Sequence, residues 1–171
     1  DVRAGTVGST NNGGIPSVGI FFSYLEWRIK PKSEKLYLVA GFFRPQLSRE
    51  SITTAWQTSS MEKSATQTYV RQHTTGVGPG RVVGVNLGGL LKSESEKIVL
   101  NYNLGVFNPS YTSNGGNSAG THFAPLLTGR AVLSLGDPEM KQYGIAYNMN
   151  YFNQRKGASI ALNGSRQGKT D

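Results

Sequence analysis

The stretch KIVLNYNLGVF at residues 97–107 alternates between two kinds of side chain. One parity is apolar or aromatic and the other is mainly polar or small: Ile98, Leu100, Tyr102, Leu104 and Val106 against Lys97, Val99, Asn101, Asn103 and Gly105. Successive side chains of a β-strand point to opposite faces, so this period of two predicts a strand with one apolar and one polar face.

The same rhythm recurs on both sides of this stretch. About seven segments of roughly ten residues show it, which is the length of a tilted membrane-spanning strand. They are residues 18–30, 35–43, 81–92, 97–107, 126–135, 141–152 and 157–166. The alternation is clearest in residues 141–152, where Tyr143, Ile145 and Tyr147 share one parity. The sequence therefore predicts an all-β fold. In a soluble β-sandwich the apolar face would be the core, so alternation alone leaves open which face is outside.

Composition agrees with many short strands in one domain. The chain has 171 residues with 22 Gly, 10% aromatic and only 16% charged residues, which favours β-structure. No apolar run reaches the ~18 residues of a membrane-spanning helix. The net charge is +8, but the Lys and Arg residues are scattered singly and form no basic run or basic helix. Nucleic acid is therefore not an expected partner.

The lengths of the connections between the predicted strands distinguish a barrel from a sandwich better than the polarity of the strand faces does. Short polar turns alternate with long loops: residues 31–34, 93–96 and 136–139 against residues 44–80 and 108–125. This alternation is what an antiparallel up-and-down barrel with short turns on one side requires, whereas a Greek-key sandwich has no reason to keep it. The short connection at residues 153–156 departs from the rule.

The predicted strands do not make a complete barrel. Residues 1–17 are rich in Gly, Asn, Ser and Thr and predict a loop. About seven strands is an odd number, while single-chain bacterial barrels generally close on an even one. We therefore expect residues 1–171 to be a single partial β-barrel domain belonging to a longer barrel.

Short motifs between residues 37 and 135 support this interpretation. They are Gly-Phe-Phe-Arg-Pro at 41–45, Leu-Ser-Arg-Glu at 47–50, Thr-Ser-Ser at 58–60, Met-Glu-Lys-Ser at 61–64, Pro-Gly-Arg-Val-Val-Gly-Val at 79–85, Gly-Val-Phe-Asn at 105–108 and Thr-Gly-Arg at 128–130. In their order and spacing they resemble the phosphate-selective porin family of bacterial outer-membrane channels. The resemblance implies a transmembrane barrel of about sixteen strands, of which this chain is about half, in the lipid bilayer of the outer membrane. It also implies a homotrimer, with residues 44–80 folded into the lumen as a constriction loop.

The resemblance further implies passive diffusion of small hydrophilic solutes, with a preference for small anions set by cationic side chains along the lumen. Arg44, Arg81 and Arg130 keep the basic positions of the family motifs, whereas Phe42 stands where the motif has Arg. Arg28 and Lys30 share a parity with Glu26 and add to the predicted wall. The predicted pore-lining residues are Arg44, Arg130, Arg28, Lys30, Arg81, Arg49 and Lys63. Phosphate specificity does not follow.

A second interpretation is a secreted or surface β-sandwich that binds carbohydrate through Trp27, Trp56 and Tyr111. An enzyme is not expected, because no Gly-x-Ser-x-Gly motif or other catalytic constellation occurs. The chain has no Cys, and its two histidines, His73 and His122, lack acidic partners at ligand spacing. Neither a metal nor a cofactor is therefore expected.

Overall fold

The computed structural model is built mainly of β-strands. It describes residues 7–12, 15–20, 22–53, 65, 67, 69, 80–108, 112–113, 116–117, 125–146 and 155–167. In chain order the elements are β1 (Val7–Asn12), β2 (Ile15–Ile20), β3 (Ser23–Arg28), β4 (Tyr37–Phe43), α1 (Arg49–Ile52), β5 (Val82–Lys92), β6 (Ile98–Asn108), β7 (Thr112–Ser113), β8 (Gly116–Asn117), β9 (Leu126–Gly136) and β10 (Gly157–Gln167).

Six of these strands form one open antiparallel sheet in the order β10-β9-β6-β5-β4-β3. Each strand pairs with its neighbour along this up-and-down path, while β1–β2 and β7–β8 are separate hairpins. The prediction of an all-β, antiparallel, up-and-down arrangement is confirmed. Turns at residues 29–36 and 93–97 join strands at the short-turn end of the sheet, and residues 44–81 and 109–125 join them at the long-loop end. The predicted alternation of short and long connections fails once, because residues 137–156 join β9 to β10 at the short-turn end in place of the short turn predicted at 136–139.

The register of the sheet divides its side chains between two faces. Leu38 pairs with Leu87, Leu87 with Leu104, and Leu104 with Gly129, so these residues share what we call the outer face. One residue along, Val39 pairs with Asn86, which lies on the opposite, inner face. Because paired residues point the same way and the period is two, the whole sheet is sorted in this manner.

Two segments cover the inner face from opposite ends. Residues 44–53 enter from the long-loop end and contain α1, whose capping box is formed by the side chains of Ser48 and Ser51. Residues 139–146, which we call the strap, enter from the short-turn end. Ile52 from the first segment and Tyr143 from the strap join a buried cluster with Phe43. The core of the protein therefore lies between the inner face and these two segments.

The prediction of a strand at residues 141–152 is wrong for its described part, because residues 141–146 form no strand. Tyr143 and Ile145 are buried, and the ring of Tyr143 stacks on that of Tyr37 with centroids 4.7 Å apart. Their shared parity reflects packing against the inner face. Residues 147–152 lie outside the described residues.

The loop predicted for residues 1–17 also differs from the structure. Val7–Asn12 and Ile15–Ile20 pair as an antiparallel hairpin, with Val7 opposite Ile20. The strand predicted at residues 18–30 is accordingly divided between β2 and β3. The residues of this hairpin are mostly polar or small, as in a loop, but their backbone N–H and C=O groups are paired between β1 and β2.

Gly41 should be intolerant of a side chain. Its φ is +140°, and a Cβ at this position would overlap the backbone oxygen of Ser23 on β3. We expect Gly41→Ala to lower the free energy of unfolding by ~1–3 kcal/mol, the usual cost of such backbone strain. Gly164→Ala is the matched control, because a Cβ there meets no atom within 4 Å. Chemical denaturation of both variants checks this, and equal stability of the two would contradict it.

Candidate functional site

The outer face of the sheet is exposed and apolar, whereas the inner face carries polar side chains among the buried apolar residues of the core, such as Val39 and Phe107. Large apolar side chains are exposed on the outer face: Leu25, Trp27, Val83, Val85, Leu91, Ile98, Leu104, Val106, Leu127, Leu133, Leu135, Ile160 and Leu162. Polar side chains on the inner face are buried: Glu26, Asn86, Asn101, Asn103, Thr128, Arg130 and Ser134. The inner face, with the two segments covering it, is therefore the candidate site.

Three asparagines and an arginine form a polar ladder across β5, β6 and β9. Asn86 Nδ2 donates to Asn103 Oδ1 at 3.1 Å, and Asn103 Nδ2 donates to Asn101 Oδ1 at 3.0 Å. Arg130 Nη1 donates to the same Asn101 oxygen at 3.4 Å. These groups are held in place by each other and by a rigid sheet, so the ladder presents a fixed pattern of amides and one guanidinium along the inner face.

Tyr143 of the strap is bonded into this ladder. Its hydroxyl donates to Asn103 Oδ1 at 2.7 Å and accepts from Asn86 Nδ2 at 2.9 Å. Gly88 makes room for it, since a Cβ at that position would overlap the hydroxyl oxygen. The sheet thus contains a notch that fits a tyrosine hydroxyl.

The carboxylate of Glu34, in the turn between β3 and β4, holds three donors. It forms an ion pair with Arg28 Nη2 at 3.0 Å. It also accepts a hydrogen bond from the Tyr37 hydroxyl at 2.9 Å and another from the backbone N–H of Tyr143 at 2.8 Å. The Arg28 guanidinium lies 5.3 Å from the centroid of the Tyr37 ring. A single carboxylate therefore joins the turn, the sheet and the strap through charge-assisted bonds.

The predicted cationic residues occupy different environments. Arg28 and Arg130 lie on the inner face, and Arg130 is only 3% exposed, so its neighbours cover it. Lys30 is exposed beyond the end of β3. Arg49 is exposed on α1, with Nη1 4.0 Å from Glu139 of the strap. Lys63 lies outside the described residues, as do Trp56 and Tyr111 of the carbohydrate-binding interpretation.

Arg44 and Arg81 come together at the long-loop end of the sheet. Phe43 pairs with Val82, which places the two arginines next to each other beyond the last pair. Arg44 Nη1 donates to the carbonyl oxygens of Ser51 and Thr53 at 3.1 and 3.2 Å. The Arg81 guanidinium lies 4.3 Å from the Phe22 ring centroid. Burial, together with the nearby Arg44 charge, lowers the pKa of Arg81 to about 10, so it is cationic at neutral pH.

Sequence reasoning missed the residues that join the strap to the sheet. Asn101 and Asn103 were placed on the polar parity of β6, but the roles of Asn86, Glu34 and Tyr143 were not predicted. Tyr143 had been assigned to the apolar face of a strand. The bonding partners of its hydroxyl are 40 and 57 residues away along the chain, and no local pattern indicates them.

The residues that the structure describes contain neither a cluster of metal-ligating side chains nor a long apolar helix. No group of three or more His, Cys, Asp or Glu side chains in this part of the chain could hold a metal ion. No helix there has the length and apolar character needed to cross a membrane.

Comparisons with family models, with curated proteins and with solved structures found no match to this chain. The resemblance to phosphate-selective porins therefore stays a prediction that rests on the motifs alone.

Proposed function

We propose that this chain is part of an outer-membrane β-barrel porin through which small hydrophilic solutes diffuse passively, anions in preference to cations. The observation that carries the proposal is the polarity of the sheet. Its exposed face is apolar along the strands, while most of its polar side chains lie on the inner face beside the buried apolar residues of the core. An exposed apolar face with polar groups behind it suits a wall with lipid outside and water inside.

The distribution of charge on the outer face supports a lipid-facing surface. In the six described strands of the sheet, the outer face carries a charged side chain only near a strand end, at Arg166, which pairs with Leu127. A charge at the bilayer midplane costs ~2–4 kcal/mol in a barrel, and the cost falls towards the interfaces. The position of the charged side chain therefore agrees with a sheet whose outer face is in contact with lipid, where charge is tolerated only near the interfaces.

Strand length supports the same proposal. The strands β5, β6, β9 and β10 each contain 11 residues. At ~3.3 Å per residue and a tilt of ~45°, such a strand covers ~25 Å, the height of the apolar band of an outer-membrane barrel.

Aromatic side chains lie near both ends of the outer face. Trp27 is 61% exposed and pairs with Leu38 towards the short-turn end. Tyr102 lies on the same side, and its hydroxyl donates to the backbone oxygen of Lys35 at 2.7 Å. Phe42 lies towards the long-loop end. Aromatic girdles at the two membrane interfaces are typical of such barrels.

A closed barrel needs more strands than this sheet. The strands β3 and β10 are its two edges, and unpaired backbone groups are not tolerated in the hydrocarbon region. In the proposed barrel both edges pair with strands outside the described sheet. The total of about sixteen strands and the homotrimer are proposed from the motif resemblance.

The proposed anion preference is assigned to the arginines at the long-loop end. Arg44 and Arg81 bring two cationic groups close together there. A cationic pair at the entrance of a narrow pore raises the local concentration of anions and repels cations.

Planar-bilayer recording of the full-length protein in detergent tests the proposal. We expect discrete conductance steps and, under a salt gradient, a reversal potential that indicates anion preference. Heat-denatured protein from the same preparation serves as the control. A protein that is monodisperse in buffer without detergent and forms no channels would contradict the proposal and favour the carbohydrate-binding β-sandwich.

A further inference from the structure

The strap at residues 139–146 meets the other inward segment across the inner face. Gln46 Nε2 donates to the backbone oxygen of Ile145 at 2.9 Å. Arg49 Nη1 lies 4.0 Å from Glu139 Oε1, and Arg155 Nη1 lies 3.8 Å from the same oxygen. The two segments enter from opposite ends of the sheet and contact each other there. Any passage along this face is narrowed by both.

We propose that the strap sets the size limit for solutes in this pore and that Tyr143 is the residue that positions it. This inference rests on the proposed function and extends it, because the family resemblance implies a constriction formed by residues 44–80 alone. Tyr143 contacts the sheet at three points: its hydroxyl bonds to Asn86 and Asn103, and its backbone N–H bonds to Glu34.

The wall behind the strap is mixed: the amides of Asn86 and Asn103 meet the Tyr143 hydroxyl, while the strap also packs in the buried apolar cluster of the core. Asn86 is fully buried beneath the strap, yet its amide is suited to contact with water. Loss of the Tyr143 hydroxyl would leave these buried amides without that partner, and a buried amide that lacks a partner favours contact with water. The position of the strap is therefore set by apolar packing, by the stacking of Tyr143 on Tyr37 and by a few specific hydrogen bonds, and the change Tyr143→Phe removes only the hydroxyl bonds.

With the strap in place on the inner face, some buried polar atoms lack a hydrogen-bond partner in the described part of the chain. Asn86 Oδ1 on the wall and Glu139 Oε2 on the strap are buried and make no hydrogen bond with the described part of the chain. Hydration of such atoms favours a displaced strap. Removing the hydroxyl bonds of Tyr143 should therefore shift the strap away from the sheet and widen the passage.

The test compares Tyr143→Phe with Tyr102→Phe in proteoliposomes. Both changes remove one tyrosine hydroxyl, but the hydroxyl of Tyr102 bonds to Lys35 on the outer face. Swelling rates with a monosaccharide, a disaccharide and a trisaccharide measure the size limit, and single-channel conductance is recorded for the same preparations. We expect Tyr143→Phe to raise the conductance and to lose the discrimination between the smallest and largest sugar, while Tyr102→Phe keeps both wild-type values.

Two further variants keep the inference testable if Tyr143→Phe fails to fold. Gly88→Ala fills the notch for the tyrosine hydroxyl, and Gln46→Leu removes the bond to Ile145 at the other contact. Each should also relax the size limit. Wild-type conductance and wild-type sugar discrimination in the folded variants would overturn the role of the strap while leaving the pore itself intact. Absence of pores from the wild-type protein would instead overturn the proposed function.

Discussion

Leu162→Arg is expected to abolish assembly into membranes, whereas Ala161→Arg is expected to leave assembly intact. The two positions are adjacent in the middle of β10, and both side chains are exposed. Leu162 is 77% exposed on the outer face, and Ala161 points to the inner face through its pairing with Val132. Steric hindrance is therefore similar at the two sites, and they differ in the medium that they face. A lipid-facing arginine at mid-depth costs ~2–4 kcal/mol.

The measurement is the fraction of each variant that inserts into lipid vesicles in a folded, heat-modifiable form. The wild-type protein provides the reference, and Leu162→Val shows whether the loss comes from side-chain size. In a sheet that faces water on both sides, two exposed positions would accept arginine equally. Similar insertion of the two arginine variants would thus contradict the lipid-facing assignment.

Charge reversal at the long-loop end is expected to remove or invert the anion preference. The paired change is Arg44→Glu with Arg81→Glu, because these two guanidinium groups lie next to each other beyond the Phe43–Val82 pair. Fixed charge acts on ions within a Debye length of ~8 Å at physiological salt, so position in the pore matters more than net charge. The two substitutions together change the charge by four units, all at the long-loop end of the sheet.

The reversal potential under a salt gradient measures this effect. The single change Arg81→Glu is also measured, because Arg44 donates hydrogen bonds to the carbonyl oxygens of Ser51 and Thr53. Replacing Arg44 therefore also disturbs residues 44–53, whereas replacing Arg81 alone leaves these two bonds in place. Lys97→Glu is the control, since Lys97 is exposed at the opposite, short-turn end. Arg130 is unsuitable for this test because it is buried and bonded to Asn101. An unchanged reversal potential in the double variant would show that Arg44 and Arg81 do not determine the ion selectivity of the pore.

The strands of the sheet could be predicted because their two faces differ along the whole length. Residues 97–107 were predicted as a strand, and the structure has β6 at Ile98–Asn108. Residues 157–166 likewise correspond to β10. A period of two depends only on neighbouring residues, and it is kept wherever the faces of a strand meet different media.

The strap could not be predicted by the same reasoning. Tyr143 and Ile145 repeat at the spacing of a strand, but both are buried against the inner face. Alternation shows that two sides of a segment differ and does not show what each side contacts. That information lies in residues such as Asn86 and Gly88, which are distant in sequence and reach Tyr143 only through the fold.

The candidate site was predicted in part for a related reason. The inward direction of Arg28 and Arg130 follows from strand parity, and the structure places both on the inner face. The ion pair of Arg28 with Glu34 depends on the turn, in which Lys32 has a φ of 61°. Turn conformation and burial are set by tertiary contacts, so the degree to which each cation is covered could not be read from the sequence.

The hydrogen bond between Glu34 and the N–H of Tyr143 has a consequence for the order of folding. It joins residues 109 positions apart in the chain, and the bond of Gln46 to Ile145 spans 99 positions. Contacts that close such long loops form late, once intervening strands have shortened the effective distance. We therefore expect the meander from β3 to β9 to form before the strap docks onto it. In that order of events, the asparagine side chains of the inner face stay hydrated until the strap docks. The backbone amide proton of Tyr143 is then expected to become protected from exchange later than the backbone amide protons of the ladder residues.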